Sequence, residues 1–184
     1  DARDEYRRGR EVMGEMCGDV IAVNAEEADH TGPQVVNDRV VYAPGTQQNI
    51  DAIGKAGLMG ITLPRKYEGL NFPLVAFVMT NELVARGDVG FENIWGLQDC
   101  AETLSAFADE ELKMEYLTRV PRGETCAIDL TEPDAGSDPQ AGLGQAPWDA
   151  EKQTGLPTGV KRLVTKGVGD IRLVGGRIAR SKGG

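Results

Sequence analysis

The chain carries a single histidine, His30, in 184 residues, and only three cysteines, Cys17, Cys100 and Cys126, widely separated and without a CxxC pair. That inventory gives no support to a zinc site. Serine–histidine or cysteine–histidine catalysis would depend on His30 alone. It lies in the polar run Asp29-His30-Thr31-Gly32, where a solvated loop residue is expected. The odd, scattered cysteines read as small buried hydrophobes in a reducing compartment. Long apolar runs are also missing. No stretch approaches the roughly 18 uninterrupted apolar residues of a membrane span, and the charged first ten residues lack the apolar core of a signal peptide. A cytoplasmic location is therefore expected. Excess basic charge is absent as well, since 29 acidic side chains against 20 basic ones give a net charge of -9. Such a surface repels nucleic-acid phosphates and anionic membranes, so neither is an expected partner.

What is present suits a globular chain, with 40% hydrophobic and 27% charged residues, enough for one ordinary domain or a small one plus part of another. The fold class expected is α+β: an all-α helical bundle over residues 1–121, then an incomplete antiparallel β domain over residues 122–184. Val12, Met13, Met16, Val20 and Val23 recur at helical steps and predict a first helix over residues 6–27, weakened by Gly14 and Gly18. A short hairpin strand is expected around Val40, Val41 and Tyr42, between Gly32-Pro33 and Pro44-Gly45. A second helix should start at Thr46 as its cap, bury Ile50, Ile53 and Leu58, and end at Gly57. Residues 61–70 should cross the surface without regular structure. Pro73 suits the first turn of a third helix with a stripe of Leu74, Phe77, Val78 and Val84, closed by Gly87. A fourth helix is expected over residues 91–107 and a fifth from Asp109 to Leu117, before Pro121 and Gly123 break the pattern.

After Glu124 the apolar period falls to two. Cys126, Ile128 and Leu130 alternate with Ala127, Asp129 and Thr131, which signals a strand. Further strands are expected over residues 160–165 and 171–174. Eleven of the 24 glycines lie between Gly136 and Gly184, a density that favours short strands and turns. The stretch Leu130-Thr131-Glu132-Pro133-Asp134-Ala135-Gly136-Ser137-Asp138 leaves the first of these strands and enters a turn rich in small residues and backbone donors. Amides near Ala135, Gly136 and Ser137 can converge on an anion or a polar ring, and Gly136 lets one come close. An Asx turn in which Asp134 caps its own backbone fits the same residues. Spacing alone does not choose between these two.

These nine residues resemble the signature of the acyl-CoA dehydrogenases, a strand followed by Thr-Glu-Pro and then Gly-Ser-Asp. The resemblance extends to residues 63–70, to Gly96-Leu97-Gln98-Asp99, to Glu115-Tyr116-Leu117 and to residues 159–167, and so covers almost the whole chain. It implies FAD as cofactor. Ile128, Leu130 and Thr131 would contact the flavin ring, Gly136 and Ser137 would lie near the flavin and its pyrophosphate, and Leu163, Val164 and Thr165 would form a second contact segment. Ser137, with Gly96 and Leu97, would face the acyl-CoA substrate. The implied reaction is α,β-dehydrogenation of an acyl-CoA thioester to a trans-2-enoyl-CoA, as in β-oxidation of fatty acids, with electrons passing to an electron-transfer flavoprotein and a homo-oligomeric full-length protein. By the same resemblance no catalytic residue is expected within these 184 residues, because the family's general base belongs to a later helical domain. Glu132 is expected to fix its loop rather than act as that base. Two departures stand out: Leu163 replaces a usual aromatic residue, and Lys166 a common asparagine. The absent base and the linker prolines Pro147 and Pro157 favour a non-catalytic scaffold remnant as the alternative, and an acyl-CoA oxidase relative is a third reading.

Overall fold

The computed structural model describes residues 1–177, and the last seven residues lie outside the description. Its first region is helical. Helix α1 (Ala2–Met16) begins where the Asp1 carboxylate accepts the Asp4 amide at 3.1 Å, and it continues through a π-helical turn, Cys17–Ile21, into α2 (Ala22–Thr31). The helix is longer at both ends than the apolar pattern indicates. In an α-helix each four-residue step overshoots a full turn by about 40°. The wider π turn takes that drift back, so Met13, Cys17 and Ile21 remain on one buried face.

Strands β1 (Gln34–Val36) and β2 (Arg39–Val41) form the expected small hairpin. Helix α3 (Pro44–Lys55) starts earlier than expected, and Thr46 is a buried first-turn residue rather than the cap. Ala43 has no side chain able to cap, so Glu27 of α2 reaches across, and its carboxylate accepts the Gly45 amide at 3.0 Å. The crossing over residues 56–73 is irregular apart from a 3-10 turn at Arg65–Tyr67. Gly69 is required there, because a β-carbon at that position would stand 2.2 Å from the Leu63 carbonyl oxygen.

Helix α4 (Leu74–Gly87) follows Pro73 and ends at Gly87 as expected, but its buried stripe is Phe77, Thr80 and Val84. Leu74 and Val78 are exposed instead. Thr80 can take a core position because its hydroxyl donates to the Phe77 carbonyl at 2.7 Å and needs no other partner. The expected fourth helix is two helices, α5 (Val89–Gly96) and α6 (Cys100–Phe107), joined by a 3-10 turn at Leu97–Asp99. The joint turns on buried Gln98, which donates to the Trp95 carbonyl at 3.1 Å and accepts the Ile61 amide at 3.2 Å. Helix α7 (Glu110–Tyr116) is capped by the Asp109 carboxylate, which accepts the Leu112 amide.

Two apolar clusters hold these elements. The first joins Met13, Ile21, Ile53, Phe77, Val84, Phe91 and Trp95 between α1, α3, α4 and α5. Each fully buried large side chain contributes roughly 1.5–3 kcal/mol. The second joins Leu63, Tyr67, Cys100, Leu117 and Val120 to Cys126 and Ile171, so the strands pack directly on the helical region.

The second region holds β3 (Cys126–Asp129), a hairpin of β4 (Trp148–Asp149) and β5 (Thr154–Gly155), and β6 (Ile171–Val174). The small hairpin is antiparallel. The main pair, β3 with β6, runs parallel, with Cys126 opposite Ile171 and Asp129 opposite Val174. The long connection between them brings the chain back to the end of the sheet where it started, as a parallel pair requires. The strand expected over residues 160–165 is not formed, and Leu163 takes a left-handed φ of 56°. No helix among the described residues is long and apolar enough to cross a membrane.

Candidate functional site

The candidate site grows from the end of β3. Ile128 is half-buried in the strand, Leu130 is exposed, and the half-buried Thr131 uses its carbonyl to accept the Arg162 amide at 3.0 Å. The chain then closes a tight turn through its own main chain, Glu132 amide to Ala135 carbonyl at 2.8 Å and Ala135 amide to Glu132 carbonyl at 3.3 Å. Asp134 does not cap this turn, since among the described residues its carboxylate accepts no hydrogen bond. Asp138 instead caps the following 3-10 turn, Pro139–Ala141, by accepting the Gln140 amide at 3.1 Å. The amides of Gly136 and Ser137 lie between these two closed turns. Both residues are exposed, and among the described residues their amides have no acceptor. A β-carbon at Gly136 would meet only the Thr131 methyl, at 3.7 Å.

Glu132 is committed elsewhere. Its carboxylate accepts the Leu143 amide at 2.6 Å, the Gly144 amide at 2.9 Å and the Lys161 ammonium at 2.7 Å. The Lys161 hydrogen bond and then the two amides hold its carboxyl down to about 2. A carboxylate so engaged is a poor proton acceptor, which agrees with a role in fixing the loop.

The second segment is placed less regularly. Leu163 is 82% exposed, Val164 is half-buried, and Thr165 lies in the wall of a cavity of about 770 Å³. Tyr42, Thr46, Gly90, Asn93 and Ile94 line the same cavity. Gly96 and Leu97 do not. Gly96 ends α5 beside Glu92, and Leu97 packs against the second apolar cluster. The start of α5 lies there instead, with Gly90 and Asn93 opening onto the cavity. No apolar period marks those two, because a cavity wall needs no buried stripe.

Charged side chains of this region make contacts that the sequence pattern does not show. Lys166 is 3% exposed, with its ammonium 5.6 Å from the Tyr42 ring centroid. Burial pushes its pKa down to about 8, against the pull of Asp170. Burial alone would raise the Asp170 carboxyl, but the Thr125 amide and hydroxyl, donating at 2.8 and 2.7 Å, outweigh it and hold it low. Asp129, on the buried side of β3, pairs with Arg172 of β6. All three cysteines are buried, and burial raises their thiols to about 11, 11 and 12 for Cys17, Cys100 and Cys126, so none is poised as a nucleophile. No metal-holding cluster is present among the described residues.

Comparison with known proteins gives this arrangement a context. The profile of the family described as "Acyl-CoA dehydrogenase, N-terminal domain" matches residues 3–124. The 3-methylmercaptopropionyl-CoA dehydrogenase of Ruegeria pomeroyi is 30% identical over 137 residues, which is 73% of this chain and 23% of that protein. An acyl-CoA dehydrogenase of Bacillus subtilis is 32% identical over 125 residues, 65% of this chain and 32% of that protein. This chain thus spans about a quarter to a third of the length of these relatives. Among solved structures, the glutaryl-CoA dehydrogenase of Mycobacterium smegmatis superposes with a TM-score of 0.79 at 24% identity, over 95% of this chain and 43% of that one. The acyl-CoA dehydrogenase of Bacillus anthracis complexed with FAD gives a TM-score of 0.75 at 21% identity, over 95% of this chain and 29% of that one. At those identities the likeness is one of fold.

Proposed function

The chain belongs to the acyl-CoA dehydrogenase family, and on that premise we propose that it forms the helical wall and first flavin-facing segments of an FAD-dependent acyl-CoA dehydrogenase. The observation that carries this reading is the pair of amides at the exposed residues Gly136 and Ser137, without an acceptor among the described residues and held between two turns that satisfy themselves. Free N–H groups in a small-residue turn suit a pyrophosphate or a flavin edge. The residues present fit that group. Thr131 and the backbone of Ile128 and Leu130 would orient the ring, Gly136 and Ser137 would donate to the cofactor, and Val164 and Thr165 would close the second side. Ser137 and the α5 residues Gly90 and Asn93 would meet the acyl-CoA.

Bound FAD would supply the hydride acceptor for α,β-dehydrogenation of the thioester. The protein's share is alignment and exclusion of water. The preferred physiological setting is fatty-acid β-oxidation in the cytoplasm, with an electron-transfer flavoprotein as acceptor and a homo-oligomeric full-length enzyme.

Titration of the purified chain with FAD tests the reading. The expected result is retained flavin absorbing at about 450 nm, and its loss on Gly136→Trp or Thr131→Trp with helix content unchanged. A helical interaction module without flavin is the second reading, favoured by the exposed side chains of Leu74, Val75 and Val78 on α4 and of Leu163. A chain that stays colourless in excess FAD would select it.

A further inference from the structure

Two segments proposed to face the flavin, residues 128–131 and 163–165, are remote in sequence and share no regular sheet pairing. What joins them is a polar circuit. The Lys161 ammonium donates to the Leu130 carbonyl at 3.2 Å and to Glu132 Oε1 at 2.7 Å, so one cation grips the last residue of the first segment's strand path and the turn that follows it. Glu132 in turn accepts the amides of Leu143 and Gly144. One residue past Lys161, the Arg162 amide donates to the Thr131 carbonyl at 3.0 Å. The pair is well shielded, with side-chain exposures of 16% for Lys161 and 10% for Glu132. The surroundings are built for it. A β-carbon at Gly144 would stand 2.5 Å from Glu132 Oε1, so only glycine admits the carboxylate this close. The Gln145 and Thr158 main chains, exchanging hydrogen bonds at 3.1 and 2.7 Å, hold the Gly144 loop against the approach to Lys161.

We propose that Lys161 is a positioning residue, whose clasp on Glu132 and the Leu130 carbonyl sets the two flavin-facing segments in register with each other. This rests on the flavin reading given above. In a shielded setting a charge-assisted hydrogen bond is about twice as strong as a neutral one, and the two bonds from Lys161 diverge onto groups two residues apart, which fixes direction as well as distance. The low carboxyl of Glu132 keeps the accepting side of the clasp charged at any ordinary pH. Arg162 contributes only its backbone, so its amide reports on the clasp without being part of it.

The test uses the whole chain with Lys161→Met, Lys161→Arg, Glu132→Gln and the Met/Gln double variant, read by amide hydrogen exchange and by FAD binding through flavin fluorescence. In Lys161→Met the Arg162 amide should exchange about tenfold faster and FAD should bind about tenfold more weakly, while amides of α3 and α4 keep their protection. Lys161→Arg should recover most of both, and the double variant should be no worse than the poorer single, because both break one unit. Unchanged exchange at Arg162 in Lys161→Met overturns the proposal, as does a parallel loss of protection in α3 and α4, which would mark a merely structural role. If the parent chain binds no FAD, the flavin reading fails on its own, and the Arg162 exchange still decides whether the clasp couples the segments.

Discussion

The two regions of this molecule are held together by different physics. The helical region, through α7, encloses Met13, Ile21, Ile53, Phe77 and Trp95, all at most 2% exposed, and its polar groups mostly serve as caps and joints. The β region has a four-residue main strand pair and a two-residue hairpin, and beside the apolar contact of Cys126 and Ile171 with the helical region it is tied by ionic and hydrogen-bonded contacts: Asp129 with Arg172, Glu132 with Lys161, Asp170 with Thr125. Apolar burial is non-directional and tolerates an approximate fit, whereas charged contacts require geometry and respond to pH and salt. The lesson is a division of labour. The first region supplies stability, and the second supplies placement of backbone groups at the Gly136 turn.

The largest effect should come from breaking the apolar side. Trp95→Ala removes a 2%-exposed indole packed 5.3 Å from the Phe77 ring, and should cost about 3–5 kcal/mol in urea unfolding followed by far-ultraviolet circular dichroism. A loss below about 1 kcal/mol would mean that the first cluster is not the main source of stability.

Next comes Arg172→Met, which strands the Asp129 carboxylate, whose side chain is 3% exposed. Because Arg172 itself is half-exposed, the expected cost is about 2 kcal/mol, below that of a fully buried pair. It should appear locally. Thiol labelling should speed up at Cys126, beside the broken contact, and stay slow at Cys17 in the helical core; equal acceleration at both would erase the contrast between the regions.

How much of this contrast was legible in the sequence follows from the same physics. Helical periodicity and turn residues located α1, α4, α7 and the hairpin, because these signals are local. The break at Gln98 was not legible, since its reason is the Ile61 amide, far away in the chain. Nor was the start of α3, whose first turn is served by Glu27. In the β region the strands at 126 and 171 showed in their alternation, but their parallel direction depends on the course of the long connection between them. Residues 160–165 alternate like a strand yet are tied down by Lys161 and the Arg162 amide instead, so the period misled there. For the candidate site, the Thr131–Ser137 turn was readable as a motif. Gly90 and Asn93 were not, because cavity walls leave no periodic trace.

Smaller effects sharpen the comparison through pH. Lys166 holds its pKa at about 8 when folded, below its ordinary value of 10.5. Between those values the unfolded chain keeps a proton that the folded chain has released, so this group's contribution makes stability rise with pH across that window. Lys166→Met should therefore raise the midpoint of thermal unfolding by about 3 °C at pH 7, with the gain shrinking from pH 8 upward. Comparing variant with parent at each pH cancels the opposing contribution of the Cys17 and Cys100 thiols, which, unlike the Asp170 carboxyl and the Cys126 thiol, do not interact with Lys166. A gain that does not vary with pH would show that the ammonium is not the cause.

Asp99, at the α5–α6 joint, behaves in the opposite sense. Burial, then Glu102 and Glu92, raises its carboxyl from 3.8 to about 6. Between those values the folded chain keeps a proton that the unfolded chain has lost, so stability falls as pH rises through that range. Asp99→Asn should add about 1 °C to the unfolding midpoint at pH 7 and nothing at pH 3.5. A benefit equal at both pH values would contradict this assignment.

The most direct measurement of the flavin-site account is a two-dimensional ¹H–¹⁵N spectrum of the labelled chain during addition of FAD. The Gly136 and Ser137 amides should move first and furthest, followed by those of Thr131 and Thr165, while amides of α1 and α3 stay in place. Shifts confined to the helical region, or none at saturating FAD, would contradict it.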